Sequence, residues 1–148
     1  MYSAEEFDKA KMRVLKYIMF KKRSKYEVKN KFSGNYDEDM LDDIIEYLEE
    51  AGYINDNEYI EKTVHEYTNL KNLSIKELKY KLIAKGIDRN VLEDYFYENR
   101  DDLEDYEIRS ATNIVYKKKD QMEPEELKQY LFKKGYINEN INKALEEY

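Results

Sequence analysis

The residues of this chain that could do chemistry are few, and they are not spaced as a catalytic site requires. His65 is the only histidine and there is no cysteine, so neither a zinc site of the usual ligands nor a histidine-assisted nucleophile can be assembled. The acidic stretch Asp37-Glu38-Asp39 resembles a calcium loop only in charge, because the glycine that such a loop needs is missing. No glycine-rich phosphate loop or dinucleotide-binding turn occurs. We therefore expect a non-enzyme with no metal, no cofactor and no small-molecule substrate.

The remaining chemistry is that of the cations, which could bind anions. The formal net charge of −7 hides a strong segregation of charge along the chain. Residues 9–31 contain ten Lys or Arg against one Glu, and residues 37–66 contain twelve Asp or Glu against one Lys. The alternation recurs: residues 71–89 contain six basic and two acidic residues, and residues 93–107 contain eight acidic and one basic residue.

Two interpretations of this alternation are open. In the first, neighbouring helices compensate each other's charge, and lysine stems cover apolar surface while their heads stay in water. In the second, the cations form a basic band that contacts phosphates or an acidic partner without reading bases. The candidates for this band are Lys21, Lys22, Arg23, Lys25, Lys29, Lys31, Lys76, Lys79, Lys81, Lys85, Lys117, Lys118, Lys119, Lys128 and Lys134.

The elements that must position these cations are predicted to be helices. Charged residues make up 40% of the chain, with four glycines and one proline, a composition that helix interiors tolerate. Apolar residues recur at helical spacing, as in Leu41, Ile44, Ile45 and Leu48, and no stretch alternates with the period of a strand. We predict helices near residues 8–20, 24–33, 37–51, 56–71, 74–85, 88–98, 101–118, 123–134 and 138–147.

A pattern that recurs along the chain predicts an internal repeat. Ser24-x-x-Glu27 and Ser74-x-x-Glu77 are capping boxes fifty residues apart, and Glu123-Pro124-Glu125-Glu126 follows forty-nine residues later. Lys85-Gly86 and Lys134-Gly135 place a glycine where a helix ends in the left-handed conformation. We predict an all-α fold of three tandem three-helix repeats of about fifty residues, forming an elongated, curved body. The predicted units are 1–54, 55–100 and 101–148, with the middle helices side by side.

The compartment is predicted from what the sequence lacks. Without cysteine no disulfide can form, which fits a reducing interior. No apolar run approaches the length of a membrane span, and the start MYSAEEFDKA lacks the basic-then-apolar order of a signal peptide. We expect a cytoplasmic protein that is a monomer and does not contact a membrane.

Four motifs in register resemble one family. Arg23-Ser24-x-x-Glu27-Val28 is similar to the Arg-Ser-x-x-Glu-Leu signature of the RecX family, small bacterial regulators of the RecA recombinase. Gly52-Tyr53-Ile54-Asn55-Asp56, followed by Glu58-Tyr59, resembles that family's Gly-Tyr-Leu-Asp-Asp turn. Lys85-Gly86-Ile87 resembles a segment of its second unit, and Lys128, Leu131 and Lys134-Gly135-Tyr136 resemble one near its C-terminus. The resemblance covers roughly residues 8–148. This sequence departs from the pattern at Phe20, Asn72 and Glu123.

The resemblance implies a function. RecX proteins bind in the groove of the RecA–DNA filament across adjacent protomers, and restrain strand exchange, ATP hydrolysis and co-protease activity in recombinational repair and the SOS response. The implied partners are the RecA filament and the DNA phosphates within it. An alternative is a helical-repeat adaptor with no nucleic-acid role, which the overall acidity favours. A standalone helix-turn-helix repressor is a third hypothesis, weakened because phosphates would repel the acidic third helices.

Overall fold

The fold was described from a computed structural model, which describes residues 2–146 and 148. Within these residues the chain forms nine α-helices and no strand, so the predicted all-α class is confirmed. The helices are α1 (Ala4–Phe20), α2 (Lys25–Phe32), α3 (Glu38–Glu50), α4 (Asp56–Leu70), α5 (Ile75–Ala84), α6 (Arg89–Glu98), α7 (Arg100–Lys118), α8 (Pro124–Lys134) and α9 (Asn138–Leu145).

Local sequence signals fix most of the helix ends. The hydroxyls of Ser24 and Ser74 accept the backbone N–H of Glu27 (3.1 Å) and Glu77 (3.0 Å), and both capping boxes are complete. Ser3 caps α1 in the same way, through the N–H of Glu6, so α1 begins at Ala4 and not near residue 8 as predicted. The predicted last helix, 138–147, extends to residue 147, which lies outside the described residues.

The buried side chains form three clusters, each built mainly from three successive helices. The first comprises residues from Ala10 to Ile54, the second from Tyr59 to Leu103 and the third from Ala111 to Ala144. We refer to α1–α3, α4–α6 and α7–α9 as the N-terminal, middle and C-terminal groups. The predicted units 1–54, 55–100 and 101–148 stay a prediction, and Leu103 of α7 packs in the second cluster.

The surface area indicates an extended body. The chain exposes 9946 Å², whereas a compact monomer of this mass exposes about 8,100 Å² by the usual scaling. The excess of about a fifth follows from arranging three small cores in succession in place of one large core. Curvature of the body stays a prediction.

The expectation that the middle helices lie side by side is wrong. Helix α2 packs against α1 and α3, α5 against α4, α6 and α7, and α8 against α7 and α9. The middle helices meet end to end instead: the N-terminus of α2 contacts the chain just after α5, and the N-terminus of α5 contacts the chain just after α8. A capping serine carries each of these meetings, so the helix start that the sequence predicts is also a point of tertiary contact.

None of the described helices combines the length and the apolar character needed to cross a bilayer.

Candidate binding surface at the basic helices

The junction between the N-terminal and middle groups, the first junction, joins α2 to the end of α5. The hydroxyl of Ser24, which is fully buried, donates to the carbonyl oxygen of Lys85 at 3.2 Å. Beside it, the backbone N–H of Lys25 donates to the Asp56 carboxylate at 3.0 Å. Gly86 lies so close to Tyr26 of α2 that a β-carbon there would collide with the tyrosine side chain. The start of α2 is therefore held by two elements of the middle group, the end of α5 and the start of α4.

The junction between the middle and C-terminal groups, the second junction, repeats this set of contacts. We call the set the junction frame: a buried capping serine, a carboxylate that accepts the next backbone N–H, and a closely approached glycine. The Ser74 hydroxyl donates to the carbonyl oxygen of Lys134 at 2.8 Å, and the N–H of Ile75 donates to the Glu107 carboxylate at 2.9 Å. A β-carbon on Gly135 would lie 2.9 Å from that of Lys76, the counterpart of Tyr26. The two glycines have φ of +81° and +101°, which confirms the predicted left-handed helix ends.

Nine of the fifteen predicted basic residues separate into two sets according to the side of the middle helix on which they lie. The first set faces the third helix of its group and pairs with carboxylates there. Lys25 lies 3.3 Å from Glu49, Lys29 lies 3.3 Å from Asp42, and Lys79 lies 3.5 Å from Glu93. We call Lys25, Lys29 and Lys79 the carboxylate-paired set. For these three lysines the compensating interpretation describes the structure, since each cation neutralises an acid of its own group.

The second set lies where the first and middle helices of each group meet, and its cations are held over tyrosine rings. We call these the tyrosine-backed set. Their side-chain charges lie within about 6 Å of a ring centre, the range of a cation–π interaction. The set comprises Arg23 and Lys31 at Tyr17 (4.2 and 5.8 Å), Lys71 and Lys81 at Tyr67 (5.7 Å each), Lys118 and Lys134 at Tyr130 (5.0 and 5.3 Å), and Lys119 at Tyr116 (4.7 Å).

The tyrosine-backed set carries half of the uncompensated positive charge of the predicted band, five of the ten predicted lysines that have no carboxylate within 4 Å among the described residues. Within the part of the chain that the structure describes, none of its lysines has a carboxylate within 4 Å, whereas its one arginine has Glu27 at 4.0 Å. Arg23 also has a side chain only 18% exposed, so its role is mainly to hold Tyr17 in place. The outward cations of this set are therefore its lysines.

The other predicted residues are distributed around the junctions. Lys22 pairs with Glu58 of α4 at 2.9 Å, across the first junction. Lys76 covers Gly135 at the second junction, and Lys85 supplies the carbonyl that Ser24 binds. Lys21 and Lys117 are exposed, and Lys128 is half-buried. The structure thus brings the predicted cations to both flanks of the middle helices and does not gather them on one face.

Sequence reasoning missed Lys71 and the tyrosines that hold the second set. The signal was available in the repeat itself, because Tyr17 and Tyr67 are fifty residues apart and so are Lys31 and Lys81. Two pairs at the spacing of the capping boxes indicate that ring and cation recur as one unit. Lys71 was passed over because it stands alone at the end of α4 and not in a basic run.

Titratable groups at the first junction respond to their partly buried positions. Burial, the largest influence, raises the pKa of Asp56, and the nearby Glu49 and Asp88 carboxylates add to it. Partial burial opposes ionisation of Glu27, but hydrogen bonds from the Tyr59 hydroxyl and from Ser24 outweigh it and lower the pKa of Glu27. Burial and the facing Glu27 carboxylate also raise the pKa of Tyr59, so its hydroxyl keeps its proton.

The expected absence of catalytic and metal sites stays a prediction. His65 is an exposed residue of α4, and among residues 2–146 and 148 no three histidine, cysteine or acidic side chains are grouped as a metal site would require.

Comparisons with known proteins identify relatives named regulatory protein RecX. A regulatory protein RecX from Staphylococcus carnosus is 29% identical over 137 residues, which are 89% of this chain and 51% of that protein. A regulatory protein RecX from Clostridioides difficile is 26% identical over 148 residues, 95% of this chain and 68% of that protein. The chain thus spans between about half and two-thirds of the length of these relatives. No protein-family model matches it.

Solved structures agree with these relatives. The crystal structure of RecX from Lactobacillus salivarius superposes with a TM-score of 0.84 at 25% identity, covering 98% of this chain and 97% of that one. A second crystal structure, of a regulatory protein RecX, superposes with a TM-score of 0.80 at 20% identity over 94% of this chain. The second of these likenesses concerns the fold alone, and the first combines fold, sequence and nearly complete coverage of both chains.

Proposed function

Since the chain belongs to the RecX family, we propose that it regulates a RecA recombinase by binding in the groove of the RecA–DNA filament, where it restrains strand exchange, ATP hydrolysis and co-protease activity. The observation that carries this proposal is the tyrosine-backed set, which recurs in all three groups. An elongated protein with such cations in each of its groups suits a target that is itself periodic, because several weak contacts then act together.

The tyrosine-backed lysines are the side chains that we propose for contact with phosphates or with acidic surface of the filament. A lysine held over a ring loses less conformational freedom on binding than one that moves freely in solvent. The carboxylate-paired lysines would first have to give up Glu49, Asp42 or Glu93. In this proposal they hold each middle helix to its third helix and contribute less to the partner.

Two matched triple variants test the assignment. We expect Lys31→Gln, Lys81→Gln and Lys118→Gln together to weaken binding to RecA–DNA filaments by about tenfold or more, and to abolish most of the inhibition of DNA-dependent ATP hydrolysis. The slope of log K against log salt should fall by about one for each lysine that contacts a phosphate. Fluorescence anisotropy across a salt series measures both quantities, and circular dichroism checks that helicity is kept.

The control is the triple variant Lys25→Gln, Lys29→Gln and Lys79→Gln, which removes the same charge from the other flank of the middle helices. It should lose less filament affinity than the first variant, because each of these lysines must first give up an exposed pair worth roughly 0–1 kcal/mol. Equal losses in the two variants would overturn the assignment of the two sets. Failure of the natural chain to bind filaments or to slow ATP hydrolysis would overturn the proposed function.

A second candidate function is a helical-repeat adaptor without a nucleic-acid role. It is favoured by the exposed acidic residues of the third helices, among them Glu38, Asp39, Asp94 and Glu98. The same salt series discriminates the two, because an adaptor of this kind would bind neither single-stranded DNA nor the filament at any salt concentration.

A further inference from the structure

A cleft at the first junction concentrates positive charge from three separate segments. It has a volume of about 160 Å³ and lies between the end of α1, one face of α4 and the end of α5. Five lysines and one acidic residue line it. Lys21 and Lys22 follow α1, Lys62 lies in α4, Lys71 follows α4 and Lys85 follows α5. The acidic residue is Glu66 of α4. Like charges from distant parts of the sequence converge here, at a cost in repulsion that an anion would relieve.

The composition of this cleft differs from that of another cavity on the same helix. Between α4 and α7 a second cavity is lined by Glu61, Asp102 and Asp105, with Arg109 as its one permanent cation. The two cavities lie on different faces of α4. The concentration of lysines is therefore a property of the first junction and not of every concave surface of this highly charged chain.

Three of the five lysines have acidic neighbours: the charge of Lys85 helps to lower the pKa of Glu27, and Lys22 and Lys62 form ion pairs that are weak. Lys22 lies 2.9 Å from Glu58, and both side chains are about half exposed. Lys62 lies 3.9 Å from Glu66, also in solvent. Exposed pairs of this kind contribute roughly 0–1 kcal/mol, so a multiply charged anion in the cleft can compete with them. Lys71 is positioned at the rim by the Tyr67 ring.

The size and charge of the cleft define the ligand. Its volume is sufficient for one or two phosphoryl groups. A phosphoryl group carries up to two negative charges and three acceptor oxygens in that space, and lysine ammonium groups bind such oxygens as compact donors. A single carboxylate would leave most of the five cations uncompensated.

We propose that this cleft is a phosphate-binding site that takes a phosphoryl group, supplied either by a free nucleotide or diphosphate or by one phosphodiester of a nucleic acid strand. Because Lys21 and Lys22 precede the first junction while Lys62, Lys71 and Lys85 follow it, a bound phosphate bridges the N-terminal and middle groups. The site does not require a recombinase, and its existence can be tested on the protein alone.

The experiment is a titration of the full-length ¹⁵N-labelled protein with sodium pyrophosphate at constant ionic strength, followed by amide chemical shifts. We expect saturable shifts concentrated at the cleft, at residues such as Lys21, Thr63, Tyr67 and Lys85. The double variant Lys62→Gln and Lys71→Gln should weaken binding by about tenfold or more, because two charge-assisted contacts are lost. The control variant Lys9→Gln and Lys16→Gln removes the same charge from α1, outside the cleft. It should keep the affinity for pyrophosphate.

A second arm replaces pyrophosphate with oligothymidylate to distinguish the two sources. If only the oligonucleotide gives saturable shifts at the cleft, the site binds a phosphodiester. If only pyrophosphate gives them, the site binds a free phosphate. Shifts that rise linearly, that spread over all lysine-rich surfaces, or that are equal in the two double variants would overturn the proposal. No RecA is present in this experiment, so its failure would not contradict the proposed function. Failure of the filament assays would likewise not contradict the phosphate site.

Discussion

The two junctions share one frame and differ in what fills it. At both, a buried serine caps a middle helix and donates to the carbonyl of a lysine that precedes a left-handed glycine. At the first junction the accompanying carboxylate, Asp56, is half-buried and accepts one backbone N–H. At the second, Glu107 is fully buried and accepts from Ile75 N (2.9 Å), Ile137 N (3.4 Å) and Asn140 Nδ2 (2.6 Å).

Further hydrogen bonds reinforce the second junction more than the first, where the Tyr59 hydroxyl donates to Glu27. The Tyr106 hydroxyl accepts the N–H of Leu73 and donates to the carbonyl of Lys71, and Ser110 bonds the Tyr136 hydroxyl at 2.6 Å. The first junction has in their place the lysine-lined cleft and the solvent-exposed pair Lys22–Glu58. The comparison teaches that one backbone frame can serve as a firm joint or as a binding cleft, depending on which side chains meet there.

The largest expected effect tests the firmness of the second junction. We expect Glu107→Ala to lower the free energy of unfolding by about 3–5 kcal/mol, because the buried Asn140 amide and two partly buried backbone N–H groups lose their acceptor and a buried side chain is truncated. Asp56→Ala, the matched change at the first junction, should cost about 1 kcal/mol, the usual loss of a helix cap. Urea titrations followed by circular dichroism measure both. Equal losses would mean that the two junctions do not differ in strength.

A glycine series tests the shared frame at an intermediate magnitude. Gly86→Ala combines a positive φ with a collision at Tyr26 and should cost about 2–3 kcal/mol. Gly52→Ala has the same strain, φ +84°, but open space around the new methyl group, and should cost about 1 kcal/mol. Gly34→Ala has neither and should change stability by less than about 0.5 kcal/mol. Thermal unfolding ranks the three, and a Gly86 variant no worse than Gly52 would remove the close approach from the frame.

The smallest effect is a pH dependence at the first junction. Burial raises the pKa of Asp56 above its ordinary 3.8, so the folded chain binds this proton more tightly than the unfolded chain. Its contribution to the free energy of unfolding therefore falls as pH rises from about 3.8 through the raised value. The variant Asp56→Asn lacks this contribution and still offers an oxygen to the Lys25 N–H.

The stability of Asp56→Asn relative to the natural chain should accordingly increase over that interval and then level off. Urea titrations of both chains between pH 3.5 and pH 7, at steps of about half a unit, isolate the difference from other groups such as Glu27, whose lowered pKa acts in the opposite direction. A difference that is flat or that declines with pH would show that Asp56 is not desolvated at this junction.

Sequence alone predicted the local part of this architecture. Capping boxes at Ser24 and Ser74 and helix-ending glycines at 86 and 135 are set by residues within a few positions of each other, so a short pattern contains all the information needed. Each serine's second bond joins it to a carbonyl sixty or more residues away. No local pattern reports such a partner, and for that reason the end-to-end arrangement of the middle helices was missed.

The division of the lysines into two sets and the burial of Glu107 were missed for the same reason, since both depend on packing between helices. Lys25 and Lys31 differ by only six positions, yet they lie on opposite flanks of α2, and the rotation of that helix against α1 and α3 decides which one finds a carboxylate. Glu107 stands at the end of the acidic run 93–107, which the sequence analysis treated only as charge. Its spacing from Leu103, Ser110 and Ala111 places it on the apolar stripe of α7, and that is the signal of a buried carboxylate.

The serine hydroxyls have a consequence for how the molecule comes apart. Each hydroxyl caps the start of its own helix and also binds the end of another helix. Unfolding of one of these two helices therefore removes a hydrogen bond from the other, and neighbouring groups are coupled in a linear order. With the stronger coupling between the second and third cores, heating should release residues 2–54 first. The species left behind, six ordered helices with a detached N-terminal segment, is the form that cellular proteases would encounter.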